Sequence, residues 1–257
     1  MSSIQLTVLG SGTSMGVPTL GCHCAVCEST DPHDQRTRPS ILLAYGGRNV
    51  VIDTTPDFRF QAMRAGIDRL DAVVYTHGHA DHILGLDDIR PFNLKQRGAV
   101  PIYASADTLA ILKRQFSYIF EEAQPGTTIP LIDLHTIDGP FDLFGTRFVP
   151  ISAIHGTHPV LGFRVGKMAY LTDFSEVPKS SKALLGGLDD FILDALRYVP
   201  HPTHSTVEQS LALIAELKPK RAWFTHICHD LGHVEANAKL PEHVRLSFDG
   251  LQFEVEL

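Results

Sequence analysis

Short apolar runs that end at polar residues recur along the chain. Residues 4–9 alternate apolar and polar positions as a half-buried strand does, and residues 72–75 form an unbroken apolar run typical of a buried strand. Residues 41–44 and 49–52 flank Gly46-Gly47 and predict a hairpin. Further strands are predicted at 100–103, 146–154, 161–165, 168–172, 191–193 and 222–225, with a last hairpin around Asp249-Gly250.

Helical patterns alternate with these strands. Helices are predicted at 56–65, at 86–95 with an interruption at Pro91, from a cap at Asp107 to about residue 120, at 178–185 and at 206–217. Residues 121–128 are predicted to form a loop at the edge of a substrate pocket. This alternation indicates the α/β class. The length of 257 residues suits one large domain or two small ones, and we expect a single domain over 1–257.

Composition restricts the partners and the compartment. The chain carries 22 basic and 29 acidic residues, a net charge of −7, and has no basic run that would bind long nucleic acid. No apolar run reaches the ~18–20 residues of a membrane span, and the first residues do not resemble a signal peptide. We therefore expect a cytoplasmic protein without a membrane partner. Small anionic substrates remain compatible, because bound metals supply positive charge locally.

The residues after the apolar run at 72–75 carry the main chemical signal. His77, His79, Asp81 and His82 follow the spacing H-x-H-x-D-H. Imidazole and carboxylate groups are ligands of divalent metals, and three protonated imidazoles this close together would repel one another. The motif therefore predicts a site for one or two metal ions.

Other strand ends carry the same residue types. His155, Asp173 and His226 each lie just beyond a predicted strand, and strand ends on one edge of a sheet meet at a crevice. Asp53 also ends a strand, where it either orients a ligand histidine or caps a turn. The Gly-rich stretch 10–16 lacks the P-loop lysine, so it is either a structural turn or a substrate contact.

Three of the four cysteines form a separate cluster. Cys22, Cys24 and Cys27 have the spacing C-x-C-x-x-C in a loop at about 20–30, which covers three corners of a tetrahedral zinc ion. In a reducing compartment, clustered cysteines indicate a metal rather than a disulfide. The fourth ligand must come from elsewhere in the chain.

These motifs resemble known proteins. The H-x-H-x-D-H motif resembles the metallo-β-lactamase superfamily, and the cysteine loop with Gly16-Val17-Pro18 resembles its PhnP-like phosphodiesterase branch. The resemblance implies a four-layer αββα sandwich with a dinuclear site of Mn²⁺ or Zn²⁺ and one structural Zn²⁺. The implied ligands are His77, His79 and His155 for one metal, Asp81, His82 and His226 for the second, Asp173 as the bridge, and Cys22, Cys24, Cys27 and His229 for the structural zinc.

The resemblance also implies catalytic roles. Asp81 and His204 are the implied catalytic residues, His204 as the general acid that precedes helix 206–217, with His201 as the alternative. His158 competes with His155, and Cys228 with His229, for their ligand positions. Arg197 is expected to bind a phosphate or to pair with Asp194. Homodimers are common among similar proteins, so the oligomeric state stays open.

The expected activity is hydrolysis of small cyclic or nucleotide-like phosphodiesters by a hydroxide that bridges the metals. The alternatives are a tRNA 3′-end endonuclease, a glyoxalase II-like ester hydrolase and a non-catalytic metal-binding accessory protein in cofactor biosynthesis. The net charge and the lack of a long Gly/Pro-rich arm argue against the endonuclease, and the cysteine loop argues against the ester hydrolase. A β-lactamase of this fold is expected to have Cys in place of Asp173, and a flavodiiron protein Glu in place of His79.

Overall fold

The first of two sheets contains both ends of the described chain. The structure is a computed structural model that describes residues 3–121 and 126–257. Within these residues the first sheet has seven strands, namely β1 (Ser3–Gly10), β2 (Ser40–Tyr45), β3 (Arg48–Ile52), β4 (Ala72–Val74), β5 (Val100–Ala104), β6 (Ile132–Thr136) and β14 (Gln252–Glu256). Their order is β14-β1-β2-β3-β4-β5-β6, and strands β3 to β6 run parallel.

The second sheet repeats this design from later segments. In the described part of the chain it also has seven strands, namely β7 (Phe141–Leu143), β8 (Thr146–His155), β9 (His158–Val165), β10 (Met168–Leu171), β11 (Asp190–Asp194), β12 (Arg221–Thr225) and β13 (Val244–Leu246). Their order is β13-β12-β11-β10-β9-β8-β7, and strands β10 to β13 run parallel. Each sheet is therefore half parallel and half antiparallel.

Helices cover the outer face of each sheet. The α-helices of the described residues are α1 (Phe58–Arg64), α2 (Ala80–Ile83), α3 (Arg90–Gln96), α4 (Ala106–Gln115), α5 (Lys179–Leu184), α6 (Val207–Leu217) and α7 (His233–Lys239). Helices α1, α3 and α4 pack on the first sheet, and α6 and α7 on the second. None of the described helices has the length and apolar character needed to cross a bilayer.

Alternation along the central strands explains the layers. Val73 packs toward the helices of its sheet, whereas its neighbours Ala72 and Val74 pack into the core between the sheets. In the second sheet, Ile192 lies in the inter-sheet core while Phe191 and Leu193 face the helices. Strands buried on both faces read as unbroken apolar runs, as residues 72–75 do. The predicted αββα sandwich is confirmed.

Two local predictions are wrong, one because of strand pairing between the sheets and one because a different residue caps the helix. The tail is not a hairpin, because β13 pairs with β12 while β14 pairs with β1 in the other sheet. Helix α4 is capped by Ser105, whose hydroxyl accepts from the Thr108 amide, rather than by Asp107, and the α-helix ends at Gln115. Strands β6 and β7 were not predicted. Of the predicted loop 121–128, residues 122–125 lie outside the described residues.

Candidate metal centre

The carboxyl ends of the parallel strands meet at one edge of the sandwich. Strands β3 and β4 of the first sheet end there, as do β10, β11 and β12 of the second. The sheets are joined at this edge by a hydrogen bond from the Leu161 amide to the Thr76 carbonyl, 3.0 Å long. Residues that follow these strands are therefore brought together from distant parts of the sequence.

Three of these residues have a left-handed backbone. Asp53, Asp173 and His226 have φ values of 66°, 54° and 56°, and each follows a strand that ends at this edge. Asp and His adopt this conformation more readily than most residues, but it still costs of order 1–3 kcal/mol. Such strain persists where the surroundings determine it, and it clusters at functional sites.

His77, His79 and His155 form the first group of potential ligands. One ring nitrogen from each lies within 4.8 Å of the others. His155 Nδ1 donates to the Thr203 carbonyl at 2.7 Å, and His77 Nδ1 donates to the Thr76 hydroxyl at 3.0 Å. These bonds leave Nε2 of both rings unprotonated and free to bind a metal. The competing His158 is exposed, and its ring centre is 6.4 Å from that of His79.

Asp81, His82, Asp173 and His226 form the second group, again with ligand atoms within 4.8 Å. His82 Nε2 is 3.3 Å from Asp81 Oδ2 and 3.4 Å from Asp173 Oδ1. Asp173 Oδ2 lies 3.3 Å from His226 Nε2 and 3.9 Å from His77 Nε2, a member of the first group. Asp173 therefore lies between the two groups.

Asp53 orients this second group without belonging to it. Its fully buried carboxylate accepts from His82 Nδ1 at 2.7 Å and from the amide and hydroxyl of Thr76 at 2.8 Å each. The bond to Nδ1 directs the other nitrogen of His82 toward Asp81 and Asp173. Of the two sequence interpretations of Asp53, the structure supports the orienting one.

The electrostatics of the second group favour a cation. Burial lowers the pKa of His226, but the carboxylates of Asp173 and Asp81 more than offset it and raise this pKa to about 9. Burial raises the pKa of Asp173, yet His226 and His82 hold it well below its ordinary value. The carboxylates thus attract positive charge into a buried place.

Unpaired nitrogen atoms test whether metals fit this place. Nε2 of His77, of His82 and of His226 are buried and have no hydrogen-bond partner among the described residues. Buried polar atoms are almost always paired, so each is an exception that calls for a partner. A metal ion supplies that partner and also meets the demand for positive charge. The donor set therefore fits two divalent cations.

His204 lies beside both groups of ligands. Its ring centre is 4.6 Å from that of His155 and 4.5 Å from that of His226. His204 Nδ1 donates at 2.8 Å to Oδ2 of Asp194, the fully buried last residue of β11. Of the two roles expected for Arg197, the pairing with Asp194 is not found, because the Arg197 guanidinium donates to the carbonyls of residues 199 and 200. The role of Asp194 was missed, although it too ends a strand at this edge.

The cysteines form a second, smaller cluster with His229. Sγ atoms of Cys22, Cys24 and Cys27 lie 3.2, 3.4 and 3.4 Å from His229 Nδ1. A tetrahedral zinc ion with ordinary bond lengths places sulfur and nitrogen about 3.6 Å apart, so the four side chains fit zinc. The competing Cys228 lies outside this cluster, and its Sγ accepts from the Asp230 amide at 3.4 Å.

The Gly-rich stretch 10–16 is packed against other backbone. A Cβ on Gly10 would lie 1.9 Å from the Arg38 carbonyl, so only glycine fits there. The Ile227 amide donates to the Ser11 carbonyl, and the Thr13 amide donates to the Ile227 carbonyl. This stretch therefore holds the residue that follows His226, which supports its interpretation as a structural turn.

Comparison with known proteins places this arrangement in a family. Residues 48–227 match a family model described as a β-lactamase superfamily domain. The chain belongs to the β-lactamase superfamily. A solved structure described as a new diphosphatase from the PhnP family is 52% identical, covers 100% of this chain and 99% of that one, and has a TM-score of 0.94. The predicted resemblance to the PhnP-like branch of this superfamily is thereby confirmed.

Two further relatives match this chain less fully, one because it is about twice as long and the other because its sequence is less similar. A curated octanoyltransferase of Porphyromonas gingivalis (strain ATCC BAA-308 / W83) is 40% identical over 255 residues, which are 97% of this chain and 51% of that protein. The chain thus spans about half the length of that relative. Zn²⁺-bound PqqB from Methylobacterium extorquens shares the fold at 19% identity, with 98% of this chain and 100% of that chain covered and a TM-score of 0.79.

The superfamily fold, its implied divalent metals and the likeness to a diphosphatase over the whole chain together support a metal-dependent hydrolase. The name octanoyltransferase belongs to a protein about twice as long, so it assigns no transferase activity to this chain.

Proposed function

We propose that this superfamily member hydrolyses small phosphate compounds in which the attacked phosphorus is linked through oxygen to two further groups. Cyclic or nucleotide-like phosphodiesters and substituted diphosphates are of this kind. The observation that carries the proposal is the position of Asp173 between two groups of potential metal ligands. The diphosphatase that is 52% identical supports phosphorus as the reacting centre. A tRNA-sized substrate is disfavoured by the net charge of −7.

The residues present would hold two active-site metals, either Mn²⁺ or Zn²⁺, since both accept imidazole and carboxylate ligands. One metal would be held by His77, His79 and His155, and the second by Asp81, His82 and His226, with Asp173 shared. Such metals would neutralise a phosphate anion and would lower the pKa of bound water to about 7. The protein's own contribution is to fix the tautomers of His77, His82 and His155, and it leaves Nε2 of His77 and of His82 without a hydrogen-bond partner among the described residues.

His204 is the proposed general acid. Asp194 holds its Nδ1, so Nε2 is the nitrogen left to carry a proton toward the cleft between His155 and His226. The buried carboxylate also fixes the orientation of the ring, as an orienting aspartate does beside other catalytic histidines. Donation of this proton to the leaving oxygen is expected to contribute ~10²–10⁴-fold to the rate for poor leaving groups.

The cluster of Cys22, Cys24, Cys27 and His229 is the proposed structural zinc site. A group of three thiolates and one imidazole fills all four corners of a tetrahedron, as in closed structural zinc sites.

Two histidine variants test the proposed function. His79→Ala is expected to abolish hydrolysis of bis(p-nitrophenyl) phosphate in Mn²⁺- or Zn²⁺-loaded protein, because it removes a ligand of the first group. His158→Ala is the matched control, since this exposed histidine lies nearby but outside that group. Steady-state rates should be measured for this reporter, a cyclic phosphodiester, a substituted diphosphate and pre-tRNA. Full activity in His79→Ala, or equal losses in both variants, would contradict the proposal.

A further inference from the structure

Thr203 makes three contacts that join separate parts of the candidate active site. Its carbonyl accepts from His155 Nδ1 at 2.7 Å. Its methyl packs on Gly156, where a Cβ would lie 2.7 Å from Thr203 Cγ2 and where φ is +65°. Its amide and hydroxyl both approach Nδ1 of His201, at 3.3 and 3.2 Å. The residue that follows Thr203 is His204, the proposed acid.

The Thr203–His201 contact determines the state of the His201 ring. A backbone amide can only donate, so His201 Nδ1 must accept from it and carry no proton. The threonine hydroxyl then donates to the same nitrogen. The ring centres of His201 and His204 are 5.1 Å apart, so His201 adjoins the acid without bonding to Asp194.

The loop that carries these residues depends on side chains for its shape. Its base is closed by hydrogen bonds from the Leu196 amide to the Ser205 carbonyl and from the Val207 amide to the Arg197 carbonyl, both 3.0 Å long. Between these closures, the backbone is held by Arg197, through the carbonyls of residues 199 and 200, and by His201 through Thr203. Loss of the His201 acceptor would therefore free the amide and the hydroxyl of Thr203, leaving its carbonyl and methyl contacts.

We propose that His201 is a positioning residue that fixes Thr203, and that Thr203 in turn orients the metal ligand His155 and the acid His204. The part concerning His155 stands on geometry alone, whereas the part concerning His204 rests on the proposed function. This assignment takes His201 out of the proton-transfer step for which it was the alternative. It also explains how one short loop sets both a metal-binding ring and an acid.

Variants at positions 201 and 203 separate positioning from chemistry. His201→Leu keeps bulk but removes the acceptor, whereas His201→Asn can place its amide oxygen where Nδ1 lies. Thr203→Val keeps the methyl on Gly156 and removes the hydroxyl. We expect His201→Leu to weaken Zn²⁺ binding at the first group about 10-fold, as loss of partners behind metal ligands commonly does. His201→Asn should restore most of that affinity.

The measurements are competition of Zn²⁺ with a chromophoric chelator, and kcat for aryl phosphodiesters with good and poor leaving groups. We expect His201→Leu to lower kcat more for the poor leaving groups and His201→Asn to recover it. The double variant His201→Leu/Thr203→Val should lose no more affinity than His201→Leu alone, because both changes break one contact.

Two outcomes overturn the proposal. Unchanged zinc affinity together with a selective loss on poor leaving groups that His201→Asn does not rescue would make His201 a proton donor. Wild-type behaviour of His201→Leu in both measurements would leave it without a role. The zinc competition requires no turnover, so it decides the His155 part even if the wild-type protein cleaves none of these esters. If His201→Leu does not fold, Thr203→Val tests the hydroxyl part of the contact and should weaken zinc binding in the same direction.

Discussion

At the scale of single residues, the candidate metal centre depends on groups that touch no metal. Asp53 follows strand β3 with a left-handed backbone and accepts three hydrogen bonds from Thr76 and His82. Thr76 in turn accepts from His77 Nδ1, so one buried carboxylate fixes a ligand of each metal group. Asp194 likewise fixes the ring of His204 through its hydrogen bond to Nδ1. Hydrogen-bond partners of this kind set the tautomer and the orientation of the histidine ring that they contact.

Asp53→Asn isolates this effect, because Asn tolerates the left-handed backbone. The amide nitrogen would donate to His82 Nδ1 and move the ring proton to Nε2, the atom that must stay free. We expect metal binding at the second group to weaken ~10–100-fold. A two-site Zn²⁺ titration against a chelator measures this.

Asp57→Asn is the control for that titration. Asp57 lies four residues further along the same segment, but its carboxylate pairs with Arg38 rather than with a ligand histidine. It should therefore keep both wild-type affinities. Two wild-type affinities in Asp53→Asn would show that His82 does not depend on this carboxylate.

At the scale of elements, strand ends and the hairpin of β2 with β3 were predictable, whereas the pairing of strands distant in sequence was not. Strands β8, β10 and β12 end at or just before His155, Asp173 and His226, as expected, because an apolar run must stop where the chain becomes polar. The pairing of the tail failed because alternation in β14 does not reveal that its partner is β1, more than 240 residues away. The role of Asp194 was missed for a similar reason, because its hydrogen bond to His204 joins two residues that are separated by an irregular loop.

We expect the cysteine loop to be the element whose stability depends most on a metal. Cys22, Cys24 and Cys27 lie in a segment without a strand or α-helix, and His229 joins it to the segment after β12. That later segment has a second anchor, since the buried Arg36 guanidinium donates to the carbonyls of Cys228 at 3.1 Å and Leu231 at 2.7 Å. Loss of the zinc should therefore leave His226 in place.

Cys24→Ala is accordingly expected to lower thermal stability more than it lowers metal occupancy of the active site. A loss of ~2 kcal/mol would reduce Tm by about 4–8 °C in a chain of this size. Calorimetry should show the lower Tm. Elemental analysis should show one zinc fewer, with the other metals retained. Cys228→Ala, a buried thiol outside the cluster, should keep all metals. Loss of active-site metals in Cys24→Ala would show that the cluster supports the catalytic centre.

At the scale of the whole molecule, each metal would connect the two sheets. His77 and His79 follow β4 of the first sheet, whereas His155 ends β8 of the second. Asp81 and His82 lie in α2, which follows β4 of the first sheet, whereas Asp173 and His226 follow β10 and β12 of the second. The inter-sheet core joins the sheets by apolar packing, as in Phe163 against its neighbours. At the edge that carries the candidate metal centre, a pair of cations would add to the hydrogen bond between Leu161 and Thr76 as a connection between the sheets.

Removal of the active-site metals should therefore loosen both sheets at this edge together. A ligand that binds only the folded state at 100 times its Kd contributes about 2.7 kcal/mol, so each metal should raise Tm by roughly 5–10 °C. Hydrogen exchange should then be faster in chelator-treated protein at the Thr76 amide of the first sheet edge and at the Leu161 amide of the second. The same comparison in Cys24→Ala protein removes the contribution of the cysteine site. Faster exchange confined to one sheet would mean that the cations bind within that sheet alone and do not bridge the sandwich.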